Sequence, residues 1–360
     1  MNVALAHDYL TQRGGAERVV SSLRRAFPDA PLYTSLYDPE RTFPEFRDGD
    51  VRTTSLNRLP LLRRHHRLAL PLLARSFAQL VIDADVTVCS SSGWAHGVTA
   101  RGRKVVYCHT PARWLYQPER YLGASASLGA RAVLALQKRA LLDWDVRAAA
   151  SATQYIANST VVRERIRDLY RIDANVVPPP TTIDPHGGRR AIDGIEPGFA
   201  LTVARLLPYK NVDAVIEAFS ELSERLVVAG DGPSAERLRR SASTNVVFTG
   251  TVSDDELRWL YANSRLLVAA SYEDFGLTPL EAASFGRPAA VLRFGGYLDT
   301  VVDGETGVFF EHPRPREIKG AIESMVAETW DESALRAHAE RFSEERFIER
   351  MREVVTEAAA

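Results

Sequence analysis

Alternation is the feature that most restricts this chain: from one end to the other, short runs of β-branched residues are followed by longer stretches of helical periodicity. A strand, a helix and a second strand in succession require a crossover, so repeated units of this kind give parallel sheets covered on both faces. In the first half the pattern predicts strands at Val3–Ala6, Val86–Cys89, Val105–Cys108 and Gln154–Ala157, with a long helix from about Leu128 to Ala150. The run Val176-Val177 then ends in Pro178-Pro179-Pro180. Three prolines can neither donate to a ladder nor enter a helix interior, so a hinge is expected there. Beyond it the alternation restarts, with strands at Ala200–Ala204, Leu226–Ala229, Val246–Phe248, Leu266–Ala269 and Ala289–Leu292. The expected fold is therefore α/β, with two Rossmann-like, doubly wound domains at 1–177 and 178–342. In the closing stretch 343–360, Phe347, Ile348, Met351, Val354 and Val355 recur at helical spacing from Ser343 to Glu357, and such a helix needs an apolar surface to cover.

A length of 360 residues, with 45% hydrophobic and 25% charged content, leaves room for two cores of ordinary size. A formal net charge of -1 supplies no field that would gather nucleic acid, so no nucleic-acid partner is expected. Cys89 and Cys108 are the only cysteines and show no metal-ligand spacing, so neither a disulfide framework nor a structural zinc site is expected. The N-terminus lacks the pattern of a signal peptide, and no run approaches the roughly 18 apolar residues of a spanning helix. These features fit a soluble protein of the reducing cytoplasm. Lysine is scarce, at Lys104, Lys138, Lys210 and Lys319, which makes each one a pointed target for mutation.

Strand Leu266–Ala269 runs into Ser271-Tyr272-Glu273-Asp274-Phe275-Gly276-Leu277-Thr278-Pro279-Leu280-Glu281. The end of this stretch reads as a capping box, with Thr278 as N-cap, Pro279 at the first helical position and Glu281 three residues after Thr278. Capping does not account for Glu273, an acid at the carboxyl end of a strand, where doubly wound sheets bind ligands. Nor does it account for Phe275-Gly276-Leu277, whose glycine permits close backbone approach and whose amides can face an anion or a sugar hydroxyl. Val203-Ala204-Arg205-Leu206-Leu207-Pro208-Tyr209-Lys210-Asn211 puts two cations five residues apart on one strand-to-helix loop. That arrangement suits a diphosphate leaving group, because fixed cations stabilise the developing charge without a metal. Gly230-Asp231-Gly232-Pro233 after the next strand reads as a tight turn. Near the N-terminus, His7-Asp8-Tyr9-Leu10-Thr11-Gln12-Arg13-Gly14-Gly15 carries a double glycine that lets backbone amides approach a phosphate or a sugar ring. It lacks the G-x-G-x-x-G of a dinucleotide site, which counts against an NAD enzyme. A further strand ends at His109, followed by Thr110 and Pro111.

Glu273-x7-Glu281, with Phe-Gly-Leu-Thr-Pro-Leu inside it, resembles the signature of family 4 glycosyltransferases. Those enzymes have the GT-B fold, two Rossmann-like domains facing across a cleft with a C-terminal helix that crosses back to the N-terminal domain. The resemblance implies a retaining transfer of sugar from a nucleoside diphosphate to an acceptor. It assigns Glu273 to the donor sugar and Glu281 to the ribose, with Phe275, Gly276, Leu277 and Thr278 lining the donor. It gives Arg205 and Lys210 the diphosphate, places Gly14 and Gly15 toward the donor from the other domain, and has His109 hydrogen-bond the donor sugar. His109, Arg205, Lys210 and Glu273 are thus the expected catalytic set, with no metal or cofactor. No residue suggests itself as a carboxylate nucleophile, so front-face attack is expected, the leaving phosphate helping to deprotonate the acceptor. The opening from His7 to Glu17 and the His109-Thr110-Pro111 segment look most like bacterial mannosyltransferases of surface-glycan assembly, which implies GDP-mannose and a glycan or lipid-linked acceptor. Two alternatives fit the same fold: a nucleotide-sugar epimerase or hydrolase, and a non-catalytic nucleotide-sugar-binding subunit.

Two motifs are set aside. Asp83-Ala84-Asp85 spells a metal-binding DxD, but it introduces a strand and so sits at the wrong end of the sheet for ligand. Asn158-Ser159-Thr160 is a formal glycosylation sequon, yet Ser159 reads as the N-cap of a helix. The segment from Arg58 to Arg75 concentrates arginine beside leucine. Either it forms a helix that buries its leucines, or it makes a peripheral contact with anionic lipid at the inner face of the cell membrane, each basic side chain there contributing about 1 kcal/mol.

Overall fold

The computed structural model describes residues 1–64, 69–116, 128–181 and 183–360. The chain divides into two compact units, Met1–Pro180 together with Glu344–Ala360, and Thr181–Ser343. The proline triplet is the last stretch of the first unit before the chain passes to the second.

The first unit contains strands β1 (Val3–His7), β2 (Leu32–Thr34), β3 (Val51–Thr53), β4 (Val81–Ile82), β5 (Val86–Ser91), β6 (Thr99–Ala100), β7 (Arg103–Cys108), β8 (Gln154–Ala157) and β9 (Asn175–Val176). Strands β4 and β6 pair with each other, and the rest form a seven-stranded sheet in the order β3-β2-β1-β5-β7-β8-β9. Every pairing is parallel. Side chains alternate across it as a pleated strand requires: Ala4, Ala6, Cys89 and Val106 join one core cluster, Leu5, Val88, Val105 and Tyr107 the other. Helix Gly15–Ala26 and the C-terminal helix Glu344–Ala359 contribute to the second cluster. Phe347, Met351, Val354 and Val355 are each no more than 3% exposed there. At about 1.5–3 kcal/mol for each large apolar side chain removed from water, this burial holds the terminal helix in the first unit.

The second unit holds β10 (Phe199–Val203), β11 (Leu226–Ala229), β12 (Val246–Gly250), β13 (Ser264–Ala269), β14 (Ala289–Leu292) and β15 (Gly307–Phe310), in the order β12-β11-β10-β13-β14-β15. Strands β2, β3 and β15 go unmarked by the sequence pattern: β2 and β3 have only three residues, too few to display a period, and β15 opens on Gly307, which reads as the end of a turn. Both sheets reverse their direction of growth once: between β1 and β5 in the first unit, and between β10 and β13 in the second. Loops leaving the carboxyl ends of two strands diverge at such a switch point, which opens a crevice for ligand. Among the described residues no helix is long and apolar enough to cross a membrane.

Candidate functional site

In the second unit the expected donor residues leave the two strands that flank the switch point. Arg205 and Lys210 follow β10, and Glu273 follows β13. Pro208–Lys210 forms a single 3-10 turn that ends at Asn211, whose left-handed backbone (φ 52°) redirects the chain into helix Val212–Phe219. Asn211 Nδ2 donates to the Ala270 carbonyl at 2.8 Å, which ties the two loops together. Across that tie the Lys210 ammonium pairs with the Glu273 carboxylate, their side chains only 15% and 21% exposed. Arg205 is exposed on the same loop. The turn after β11 does more than reverse the chain. Gly230 has φ +125°, and a Cβ there would lie 2.1 Å from the Ala204 carbonyl oxygen, so the turn packs directly under the Arg205 loop.

The helix after β13 begins two residues earlier than the capping pattern predicts. Helix Leu277–Ser284 has Gly276 as its N-cap, at φ 84°, with no side-chain cap. Thr278 therefore lies within the first turn, and the capping box expected there does not form. The reason is Gly276: a residue free to take positive φ starts the helix before Thr278 can cap it. Glu281 instead accepts a hydrogen bond of 2.6 Å from the hydroxyl of Tyr261, a side chain with no exposure. A capping box does occur at Ser253 and Glu256, at the start of helix Asp254–Asn263. The Phe275 side chain is buried, with its ring 6.2 Å from that of Phe342, so a ligand at this loop would meet its backbone rather than its ring. Gly296, which the sequence reading passes over, donates its N–H to the Glu273 carbonyl at 3.2 Å and packs on the Phe275 backbone.

In the first unit, Gly14 is the N-cap of helix Gly15–Ala26 and lies on the loop that leaves β1 at its switch point. Glu17, two residues into that helix from Gly15, is buried, and its Oε2 lies 2.7 Å from where a Cβ on Gly14 would stand. His109 follows β7 and is bonded through Nε2 to Ser90 Oγ at 2.8 Å. Ser90 in turn bonds His7 Nδ1 at 3.1 Å. His7, Glu17 and Ser90, which the sequence reading did not single out, are linked through these contacts to His109. The legible signal was Glu17, an acid three residues before Val20, which is also buried.

Ser159 caps helix Thr160–Tyr170 through a bond from Val162 N, as read from the sequence. Asp85 accepts from the Asn2 amide at 2.6 Å, at the amino-terminal edge of β1 and β5 and away from the switch point. Among the described residues no cluster of histidine, cysteine, aspartate or glutamate could hold a metal ion. In the arginine-rich segment, residues 65–68 lie outside the described residues. On either side Leu62 and Leu73 are buried, while Leu59, Leu61 and Leu72 are 52%, 61% and 46% exposed beside exposed Arg58, Arg64 and Arg75. The segment thus buries only part of its leucine.

Two family models match the chain: Glycosyltransferase Family 4 over residues 13–185, and Glycosyl transferases group 1 over residues 191–345. The D-inositol 3-phosphate glycosyltransferase of Rhodococcus erythropolis is 30% identical over 243 residues, 58% of this chain and 55% of that protein. The glycogen synthase of Thermus thermophilus is 33% identical over 195 residues, 50% of this chain and 45% of that protein. The chain spans about half the length of these curated relatives. Among solved structures, Anabaena Alr3699/HepE in complex with UDP-glucose has a TM-score of 0.73 at 18% identity, covering 99% of this chain and 100% of that one. The apo form of the lipopolysaccharide outer core galactosyltransferase WaaB has a TM-score of 0.67 at 17% identity, covering 99% of both chains. At these identities the structural likeness is one of fold. None of the four is named as a mannosyltransferase, and the nucleotide sugar in the Anabaena complex is UDP-glucose.

Proposed function

Because the chain belongs to the family 4 glycosyltransferases, we propose that it transfers a sugar from a nucleoside diphosphate to an acceptor hydroxyl with retention of anomeric configuration. The observation that carries this reading is the meeting of Lys210 with Glu273, beside Arg205, on the two loops that flank the switch point of the second unit. Two cations and one carboxylate at the carboxyl edge of a parallel sheet suit a leaving diphosphate and a polyhydroxyl sugar. The acceptor oxygen bonds to the anomeric carbon as the bond from that carbon to the β-phosphate oxygen breaks. The acceptor proton passes to the departing phosphate, and Arg205 and Lys210 hold the charge that develops there. Glu273 accepts hydrogen bonds from the sugar, Glu281 from the ribose, and the backbone of Phe275 to Thr278 lines the donor. In this scheme the reaction needs no metal.

The first unit takes the acceptor, and its glycine loop suits a sugar better than a phosphate. The buried Glu17 carboxylate already occupies the positive end of helix Gly15–Ala26, where a second anion would be repelled. GDP-mannose is our donor assignment, resting on the resemblance of the His7 to Glu17 and His109 to Pro111 segments to mannosyltransferases. A thermal-shift series with UDP, GDP and ADP is expected to give the largest stabilisation with GDP, and a larger one with UDP would overturn that assignment. Transfer assayed with a mannosyl acceptor series is expected to survive EDTA. Sugar released only to water, or isomerised without an acceptor, would point instead to a hydrolase or an epimerase, and loss in EDTA with recovery on Mn²⁺ would contradict metal independence.

We also assign the exposed Leu59, Leu61 and Leu72, with Arg58, Arg64 and Arg75, to a peripheral contact with anionic lipid, as a lipid-linked acceptor would require. Sedimentation with phosphatidylglycerol vesicles is expected to carry the protein down at low salt and to fail with phosphatidylcholine alone. Equal binding to both vesicles, or to neither, would sink the lipid contact.

A further inference from the structure

A buried chain of polar groups crosses the switch point of the first unit, between β1 and β5, and ends on His109. His109 Nε2 is 2.8 Å from Ser90 Oγ. Ser90 Oγ is 3.1 Å from His7 Nδ1, and the same nitrogen is 3.1 Å from the Ser90 carbonyl oxygen. On the far side of the His7 ring, Nε2 lies 4.0 Å from Glu17 Oε1, which also accepts from Gln12 Nε2 at 3.1 Å. His7 and Glu17 are each 2% exposed and Ser90 1%.

The inventory of donors and acceptors fixes the first proton and admits a continuous relay beyond it. A carbonyl oxygen can only accept, so His7 Nδ1 carries a hydrogen whether the ring is neutral or charged. Ser90 Oγ can accept from that N–H and direct its single proton at His109 Nε2, 2.8 Å away. In that arrangement His109 Nε2 is an acceptor, and the neutral ring keeps its hydrogen on Nδ1. Glu17 supplies the reason for the chain's direction. Burial works to strip His7 of charge, but the Glu17 carboxylate, with Asp8, overcomes that penalty and pushes the His7 pKa up. A carboxylate that favours the charged ring strengthens the N–H bond His7 gives to Ser90.

We propose that Glu17, His7 and Ser90 form a positioning chain that fixes the orientation and the Nδ1–H tautomer of His109 for sugar transfer. The role of His109 in transfer rests on the function proposed above; the tautomer does not. It can be read directly from the ¹⁵N shifts of the His109 imidazole in the protein without ligand, the resonances being assigned by their loss in His109→Gln. The wild-type protein is expected to show a pyrrole-type Nδ1 and a pyridine-type Nε2. Ser90→Ala removes the donor to Nε2 and is expected to bring a hydrogen to Nε2, while Ser90→Thr keeps a hydroxyl and restores the wild-type pattern. In turnover, Ser90→Ala should lower kcat about tenfold, as loss of an orienting partner behind a histidine commonly does, with KM for the nucleotide sugar little changed. A wild-type Nε2–H form, or a spectrum that Ser90→Ala leaves unaltered, would overturn the chain. A switched tautomer with unchanged kcat would overturn its functional role. If the tautomer behaves as expected while Lys210→Ala leaves nucleotide affinity untouched, the transferase reading falls and the hydrogen-bond chain stands.

Discussion

Lys210→Ala and Glu273→Gln are expected to shift nucleoside diphosphate affinity in opposite directions. The two side chains are paired on loops that flank the switch point of the second unit, and both are largely shielded from water. A diphosphate that binds there must take Lys210 from Glu273 or share it. Lys210→Ala removes the cation and leaves the carboxylate facing the phosphates, so two unfavourable changes coincide. Charge-assisted hydrogen bonds are worth about 1.5–3 kcal/mol, which converts to roughly a ten- to hundredfold loss of affinity. Glu273→Gln removes the competitor for the ammonium and should tighten binding of the nucleoside diphosphate about two- to fivefold, within the roughly 1 kcal/mol that a partly exposed pair contributes. The same variant should lose transfer, since the carboxylate is assigned to the sugar. Calorimetric titration of GDP and UDP into the three proteins separates this from a purely structural ion pair. A structural pair would lower both melting temperatures and leave both affinities at the wild-type value.

The sequence made the sheets legible wherever a strand was long enough to show its pattern and was followed by a helix. Each strand read from the sequence before and after the three prolines is present, and the apolar spacing from Phe347 to Val355 foretold a helix in search of a surface. Short strands such as β2 escaped because their pairing is decided by neighbours distant in sequence. Lys210 and Glu273 stood out in the sequence because a lysine or a glutamate at a strand's carboxyl end has few structural reasons to be there, and the fold brings the two together. What could not be read was how the loops hold one another. The capping pattern at Thr278 was locally sound, but Gly276 starts the helix earlier, and Glu281 finds its partner in Tyr261, twenty residues away. The chain from Glu17 to His109 joins three separate strand ends, a juxtaposition that only the sheet order creates.

Gly296→Ala is expected to disturb the proposed donor site as severely as removing one of its charged groups, although it adds a single methyl group and no charge. The backbone at 296 has φ -70° and ψ -12°, a conformation open to alanine, so any effect is steric. A Cβ there would lie 2.1 Å from Phe275 Cα, 2.2 Å from its carbonyl oxygen and 2.4 Å from its carbonyl carbon. Carbon atoms settle at about 3.5–4.0 Å, and backbone atoms cannot swing aside as the tip of a side chain can. The Phe275 ring, buried against Phe342, blocks the loop from sliding as a unit. The loop must therefore distort, and with it Glu273, whose carbonyl accepts the Gly296 N–H. Overpacking of this kind costs about 1–3 kcal/mol, a fall in Tm of roughly 3 to 10 °C for a unit of this size. Nucleotide affinity should fall with it, because Lys210 loses a partner held in register. Gly320→Ala is the control: the residue lies inside helix Pro315–Ala327, and a Cβ there meets nothing within 4 Å. That change should raise stability by about 0.5–1 kcal/mol through the lower entropy of the unfolded chain, without touching affinity. Thermal melts and nucleotide titrations on both variants decide the matter: a Gly296→Ala protein that melts and binds like the wild type would show that the Glu273 loop does not depend on this contact.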